Sequence, residues 1–139
     1  MRYLESRGNV FTLGKDYYLA HCISSDLEMS AGIAVPMKKK FRLSKGISNT
    51  GESTKHPTCI LCNGVFNLIT KKHYYGKPTY NSIEKSLLVM RDIAVSEGVK
   101  FIGMPKVGCG RDKLQWGRVR ETLRGIFEDT DITLRVCYI

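Results

Sequence analysis

Residues 79–104 constrain the fold more than any other segment of the chain. Ile83, Leu87, Leu88, Met90 and Ile93-Ala94 recur at helical spacing and give a helix with one apolar stripe. Pro78-Thr79 supplies its N-terminal signal and Gly98 its stop. A short strand, residues 99–104, follows at once. A one-faced helix leading into a short strand is one unit of a helix-covered sheet, and the same alternation runs through the rest of the chain.

Residues 17–23 are apolar and aromatic and read as a buried strand. Residues 31–41 read as a helix interrupted by Pro36, or one that starts just before it. Residues 44–57 are polar, with Gly46, Gly51 and clustered Ser and Thr, and read as loop or short turns. Two strands, 58–62 and 65–70, flank Asn63-Gly64, a strong hairpin signal. A helix at 115–127 carries Trp116, Val119, Leu123 and Ile126-Phe127, and a last strand at 132–139 places Ile132, Leu134, Val136 and Tyr138 on one face. The expectation is an α/β sandwich, helices over a largely parallel sheet, in one domain of 139 residues.

Ligands of such sheets sit where strand ends feed into helices, which directs attention to the loops after Ile23, Ile69 and Pro105. The third, residues 105–112, pairs Gly108 and Gly110 ahead of a helix, so backbone N–H groups can approach a phosphate. It is neither a Walker loop nor a complete dinucleotide fingerprint. The first, residues 24–34, opens a helix with small residues; a phosphate or ribose contact and plain capping by Ser25 or Ser30 both fit it. The second ends a buried strand in Lys71-Lys72. A lysine of depressed pKa can attack a sugar carbon, and a strand that merely surfaces into solvent fits the same residues.

Composition narrows the classes. The net charge of +9 favours an anionic partner, and Lys38-Lys39-Lys40 with Arg42 and Lys45 is its densest part. The five cysteines are odd in number and scattered, which argues against a disulfide framework and for a cytoplasmic chain, or a nuclear one in a eukaryote. Cys59 and Cys62, running into a hairpin turn, read as two strand residues on opposite faces. No secretion signal, membrane span or metal-ligand spacing among the three histidines is expected.

Four ordered blocks carry a resemblance. Residues 19–24 are Leu-Ala-His-Cys-Ile-Ser, and residues 29–35 run from Met29 through Ser-Ala-Gly-Ile-Ala to Val35, with Lys38-Lys39-Lys40-Phe41 behind them. Leu68-Ile69-Thr70-Lys71-Lys72 comes with Lys77-Pro78-Thr79-Tyr80, and residues 104–112, from Met104 to Asp112, come with Leu114-Gln115-Trp116. The chain resembles the macrodomain family, in particular its terminal ADP-ribose protein glycohydrolase type, from about Gly8 to the C-terminus.

That resemblance implies a three-layer α/β/α sandwich around a mixed six-stranded sheet, with ADP-ribose in a cleft across the crest. It makes Lys71 the nucleophile at the distal ribose and Asp112 the proton shuttle. It gives the pyrophosphate to the loop 29–33, with Met29, Ala31, Gly32 and Ile33, and to the loop 107–111, with Val107, Gly108, Cys109, Gly110 and Arg111, and counts Ala34 and Pro105 among the ADP-ribose contacts. His21, Ser24 and Thr70 would lie near the ligand, and Asn9 and Val10 at the adenine end. The family's Gly-Asp is Gly8-Asn9 here; Asn offers an amide oxygen and loses the charge-assisted part of the bond. No cofactor or metal is implied. The expected partners are ADP-ribose and ADP-ribosylated protein, met by a monomer. Alternatives are a non-catalytic ADP-ribose reader, an ADP-ribose 1″-phosphate phosphatase, or a hydrolase of ADP-ribosylated nucleic acid.

Overall fold

The computed structural model describes residues 1–110 and 112–139. Six strands, β1 (Arg2–Arg7), β2 (Tyr18–Ser24), β3 (Thr58–Cys62), β4 (Val65–Lys71), β5 (Phe101–Met104) and β6 (Thr133–Tyr138), form one sheet in the order β1-β6-β5-β2-β4-β3. All neighbours are parallel except β3 and β4, so the sheet is mixed. The helices are α1 (Ala34–Phe41), α2 (Leu43–Asn49), α3 (Tyr80–Ser96) and α4 (Trp116–Phe127).

Strand alternation divides the core. Ala20, Phe66 and Leu68 face Leu87, Met90, Leu123 and Phe127 of α3 and α4. Leu19, Ile23, Val65 and Ile69 face Met37, Leu43 and Ile47 of α1 and α2. The central strands β2 and β4 are therefore buried on both sides, which is why their sequences are mostly apolar, with His21 and Asn67 as buried polar exceptions. Cys59 belongs to the first cluster and Cys62 to the second, on opposite faces as expected. All five cysteines are free thiols.

Local chemistry accounts for the element ends. Thr79 caps α3 in a capping box: its side chain accepts from Ser82 N at 3.0 Å, and Ser82 Oγ accepts from Thr79 N at 3.0 Å. Thr79→Ala removes one half of that box and should lower stability by about 1 kcal/mol in urea denaturation. At the other end, Val99 N donates to Ala94 O and Gly98 N to Val95 O, a Schellman closure. Asn63 and Gly64, at φ 51° and 78°, make the hairpin turn between β3 and β4. Pro36 lies in the first turn of α1, as in the second of the two expected arrangements.

Two elements differ from expectation. Residues 43–49 are helical rather than loop: Leu43 and Ile47, one turn apart, are both fully buried and outweigh the polar residues around them. Gly46 belongs in that helix because a Cβ there would lie 2.6 Å from Cys62 Sγ, so α2 can rest closely on β3 only without a side chain. The sheet also gains β1, which pairs with β6 at one edge. It is half-buried and polar, and therefore lacks an apolar run. Glu5 of β1 accepts from Tyr3 Oη at 2.6 Å and from Arg120 at 3.1 Å, which ties this edge to α4. Among the described residues, no helix is long and apolar enough to cross a membrane.

Candidate active site

The parallel strands β2, β4 and β5 end on the same edge, and the loops after them enclose a cleft of about 780 Å³. Ser24, Met29, Ala31, Gly32, Ile33 and Ala34 line it from the β2–α1 side, and Pro105, Val107, Gly108 and Gly110 from the β5–α4 side. Lys71 and Asp112 stand between these walls.

A register shift places the lysine. Ile23 pairs with Ile69, but Ser24 pairs with Lys71, so Thr70 is skipped at the end of β4. Such an irregularity re-aims the following side chain. Lys71 Nζ lies 2.8 Å from Asp112 Oδ1, across 41 residues of sequence, and each side chain is 15% exposed. The pair is thus sheltered and still reachable from the cleft. Cys22, on the same wall, is not a competing nucleophile: burial, with the charge of Asp112 adding to it, pushes its thiol up to about 12.

The β5–α4 loop is folded back on itself, with Leu114 N donating to Gly108 O at 2.9 Å. Gly108 has φ 77°, and a Cβ there would come within 3.2 Å of Ile83 Cδ1, so both its conformation and its space call for glycine. Helix α4 begins at Trp116, within one residue of the expected start, and Lys113, Leu114 and Gln115 lie between Asp112 and it. Helix α1 is capped by neither Ser25 nor Ser30; its N-cap is Ile33, with no side-chain bond. The small residues there are wall, not cap.

Several expected site residues do not reach the cleft. His21 is fully buried, with Nε2 2.7 Å from Asn67 Oδ1. Burial holds that imidazole down to about 4, so it is neutral at ordinary pH. Thr70 is buried at 1% exposure. Cys109 and Val10 are not on the cleft wall, Val10 being packed in the core on the α1 side. Asn9 is exposed and uses its amide oxygen to accept from Phe11 N at 2.9 Å, capping a short 3-10 turn. Arg111 lies outside the described residues.

The cleft also takes in residues to which the family resemblance assigns no individual ligand role. Cys22, Ser30, Lys106 and Lys113 line it, as does a strap behind Lys71 formed by Tyr74, Tyr75, Gly76 and Lys77. Tyr74 and Tyr75 are 54% and 71% exposed, and Tyr75 stacks on His73 with ring centroids 4.9 Å apart. The Tyr-Tyr-Gly run between a lysine pair and a proline was the available signal.

An α/β/α sandwich with its cleft over the parallel strand ends is the macrodomain architecture, and solved structures agree. The macrodomain of Thermus aquaticus DarG superposes with a TM-score of 0.82 at 19% identity, covering 99% of this chain and 98% of that one. The macrodomain of Mycobacterium tuberculosis DarG gives 0.83 at 17%, covering 99% and 97%. Thermosipho africanus DarTG in complex with ADP-ribose gives 0.76 at 16%, covering 94% of this chain and 39% of that one. No protein-family model matches the chain. In sequence it is 40% identical over 132 residues to ADP-ribose glycohydrolase OARD1 of Homo sapiens, and 39% identical over 132 residues to that of Bos taurus, spanning 94% of this chain and 87% of each relative. The chain belongs to the OARD1 family.

Proposed function

We propose that this chain is an ADP-ribosyl hydrolase that removes mono-ADP-ribose from acidic side chains, and the acyl group from O-acyl-ADP-ribose, through a covalent lysine adduct. The observation that carries the reading is the contact of Lys71 Nζ with Asp112 Oδ1 at 2.8 Å inside a cleft walled by two glycine-bearing loops. The OARD1 relatives are named ADP-ribose glycohydrolases, and the Thermosipho africanus neighbour holds ADP-ribose, which supports the same assignment. The net charge of +9 suits a ligand with an anionic pyrophosphate.

The pyrophosphate lies against the loops around Gly32 and Gly108, and the distal ribose presents its anomeric carbon to Lys71. Asp112 takes a proton from the Lys71 ammonium along their hydrogen bond. The freed amine attacks the anomeric carbon, and the bond to the substrate carboxylate breaks with its electron pair on the leaving oxygen. The nitrogen lone pair then opens the sugar, the ring oxygen takes the proton from nitrogen, and a Schiff base forms. Water adds at that carbon. One proton of that water passes to solvent, and the amine departs with the proton returned by Asp112 and the proton of the new hydroxyl, which restores the Lys71 ammonium and leaves free ADP-ribose. One water is consumed in each cycle.

A hydrolysis panel tests this reading, with an ADP-ribosyl-glutamate peptide, O-acetyl-ADP-ribose, ADP-ribose 1″-phosphate and an ADP-ribosylated oligonucleotide as substrates. Turnover of the first two is the expected result. Tight binding of ADP-ribose with turnover of none would make the chain a reader instead.

One observation favours nucleic acid as a second carrier of the ADP-ribosyl group. Lys38 of α1 donates from Nζ to Glu28 O at 3.2 Å, so the basic run that continues through Lys39, Lys40, Arg42 and Lys45 abuts the cleft loop. If that run grips phosphates, activity on the oligonucleotide falls steeply with salt while activity on the peptide does not. Equal, shallow salt dependence on both removes the nucleic-acid reading.

A further inference from the structure

Asp26, in the β2–α1 loop, is exposed and is absent from the cleft wall, yet both of its carboxylate oxygens are engaged. Oδ1 accepts from Ser24 Oγ at 2.5 Å and from Glu28 N at 3.1 Å. Oδ2 accepts from Tyr74 N at 2.8 Å, across 48 residues of sequence. Beside it, Ser25 N donates to Lys71 O at 2.9 Å. These hydrogen bonds hold the carboxyl below its usual range against the opposing effect of burial, the largest single influence on it.

The loop that Asp26 closes needs holding. Leu27 and Met29 have φ 58° and 46°, a left-handed backbone that residues with a Cβ keep only where the surroundings enforce it. Met29 is cleft wall, and so is Ser24, whose single hydroxyl proton is spent on Asp26. On the other side, Tyr74 opens the strap that follows Lys71 and lines the same cleft.

We propose that Asp26 is the positioning residue of this site: its one carboxylate fastens the wall that receives ADP-ribose to the strap behind Lys71, and so fixes where Lys71 stands relative to a bound ribose. The inference rests on the hydrolase reading for its kinetic consequence. The fastening itself is a property of the ligand-free protein.

Asp26→Asn separates the two halves of the clamp. Asparagine keeps one oxygen for Ser24 and Glu28 but turns an NH2 group toward Tyr74 N–H, donor against donor. The strap is released and the wall is kept. On an ADP-ribosyl-glutamate peptide, kcat should fall about tenfold or more, the scale expected when reacting groups lose alignment. The Kd for ADP-ribose should stay within about threefold, since the uniform part of binding is untouched, and Tm should not move. Amide hydrogen exchange at Tyr74 should quicken. Asp26→Ala releases both halves, so it should weaken ADP-ribose binding as well.

Wild-type protection of the Tyr74 amide in Asp26→Asn would overturn the proposal. So would fast exchange with kcat unchanged, or a joint fall of kcat, affinity and Tm, which marks a merely structural residue. Absence of wild-type turnover on every conjugate would instead sink the hydrolase reading, and the fastening would then stand or fall on the exchange result.

Discussion

Lys71→Ala should still bind ADP-ribose and should lose turnover of ADP-ribosyl-glutamate by on the order of a thousandfold or more. The size follows from what is removed. The two loop walls around Gly32 and Gly108 are formed by residues other than Lys71 and remain in place. The group lost is the attacking amine, and the only remaining route is direct attack by water at the same carbon. Lys71→Arg keeps a cation beside Asp112 and cannot supply a neutral amine at ordinary pH, so it should be as inactive as the alanine variant. That comparison separates nucleophilic catalysis from charge stabilisation by Lys71. Borohydride reduction during wild-type turnover should leave one ADP-ribosyl unit on the chain, at Lys71. Hydrolysis by Lys71→Ala at the wild-type rate, or the absence of a trapped adduct, would rule out the covalent route.

Much of this site was legible before the structure, but through different kinds of signal. The three loops after β2, β4 and β5 follow from strand ends that feed into helices, and all three border the cleft. Neither the pairing of Lys71 with Asp112 nor their sheltering can be read from spacing, because the two stand 41 positions apart and the skipped Thr70 is a property of strand register. Only the family blocks brought these two residues together. β1 was hidden because an edge strand half-open to solvent has no apolar run, and α2 because two buried residues in a polar segment give too short a stripe. Asp26 looked like one more acid in a loop. Its partners come from its own turn and from the far strap, and only the fold shows both.

His21 sets the second large expectation, a loss of stability in mild acid. On β2 it faces Asn67 on β4, and its Nε2 donates to Asn67 Oδ1 at 2.7 Å, while Asn67 Nδ2 donates to Ile60 O at 3.0 Å and to Val65 O at 3.1 Å. With both Asn67 protons committed to carbonyls, the amide offers the imidazole only an acceptor, so the neutral tautomer carries its proton on Nε2. An unfolded chain protonates this histidine near 6.5, whereas burial delays protonation in the fold to about 4. Between those values the unfolded state binds more protons, so the fold has its full stability above about pH 6.5 and loses it as pH falls toward 4. The loss approaches about 3 kcal/mol, a large share of a small domain's stability. Urea denaturation at pH 7 and pH 5 should show the drop in wild type and a clearly flatter dependence in His21→Gln, which can donate to Asn67 without titrating. An identical pH dependence in the two proteins would assign the acid sensitivity to other groups. Asn67→Ala should be destabilising at every pH, by about 2–4 kcal/mol, because it leaves the buried imidazole N–H without an acceptor and removes a fully buried side chain from the core.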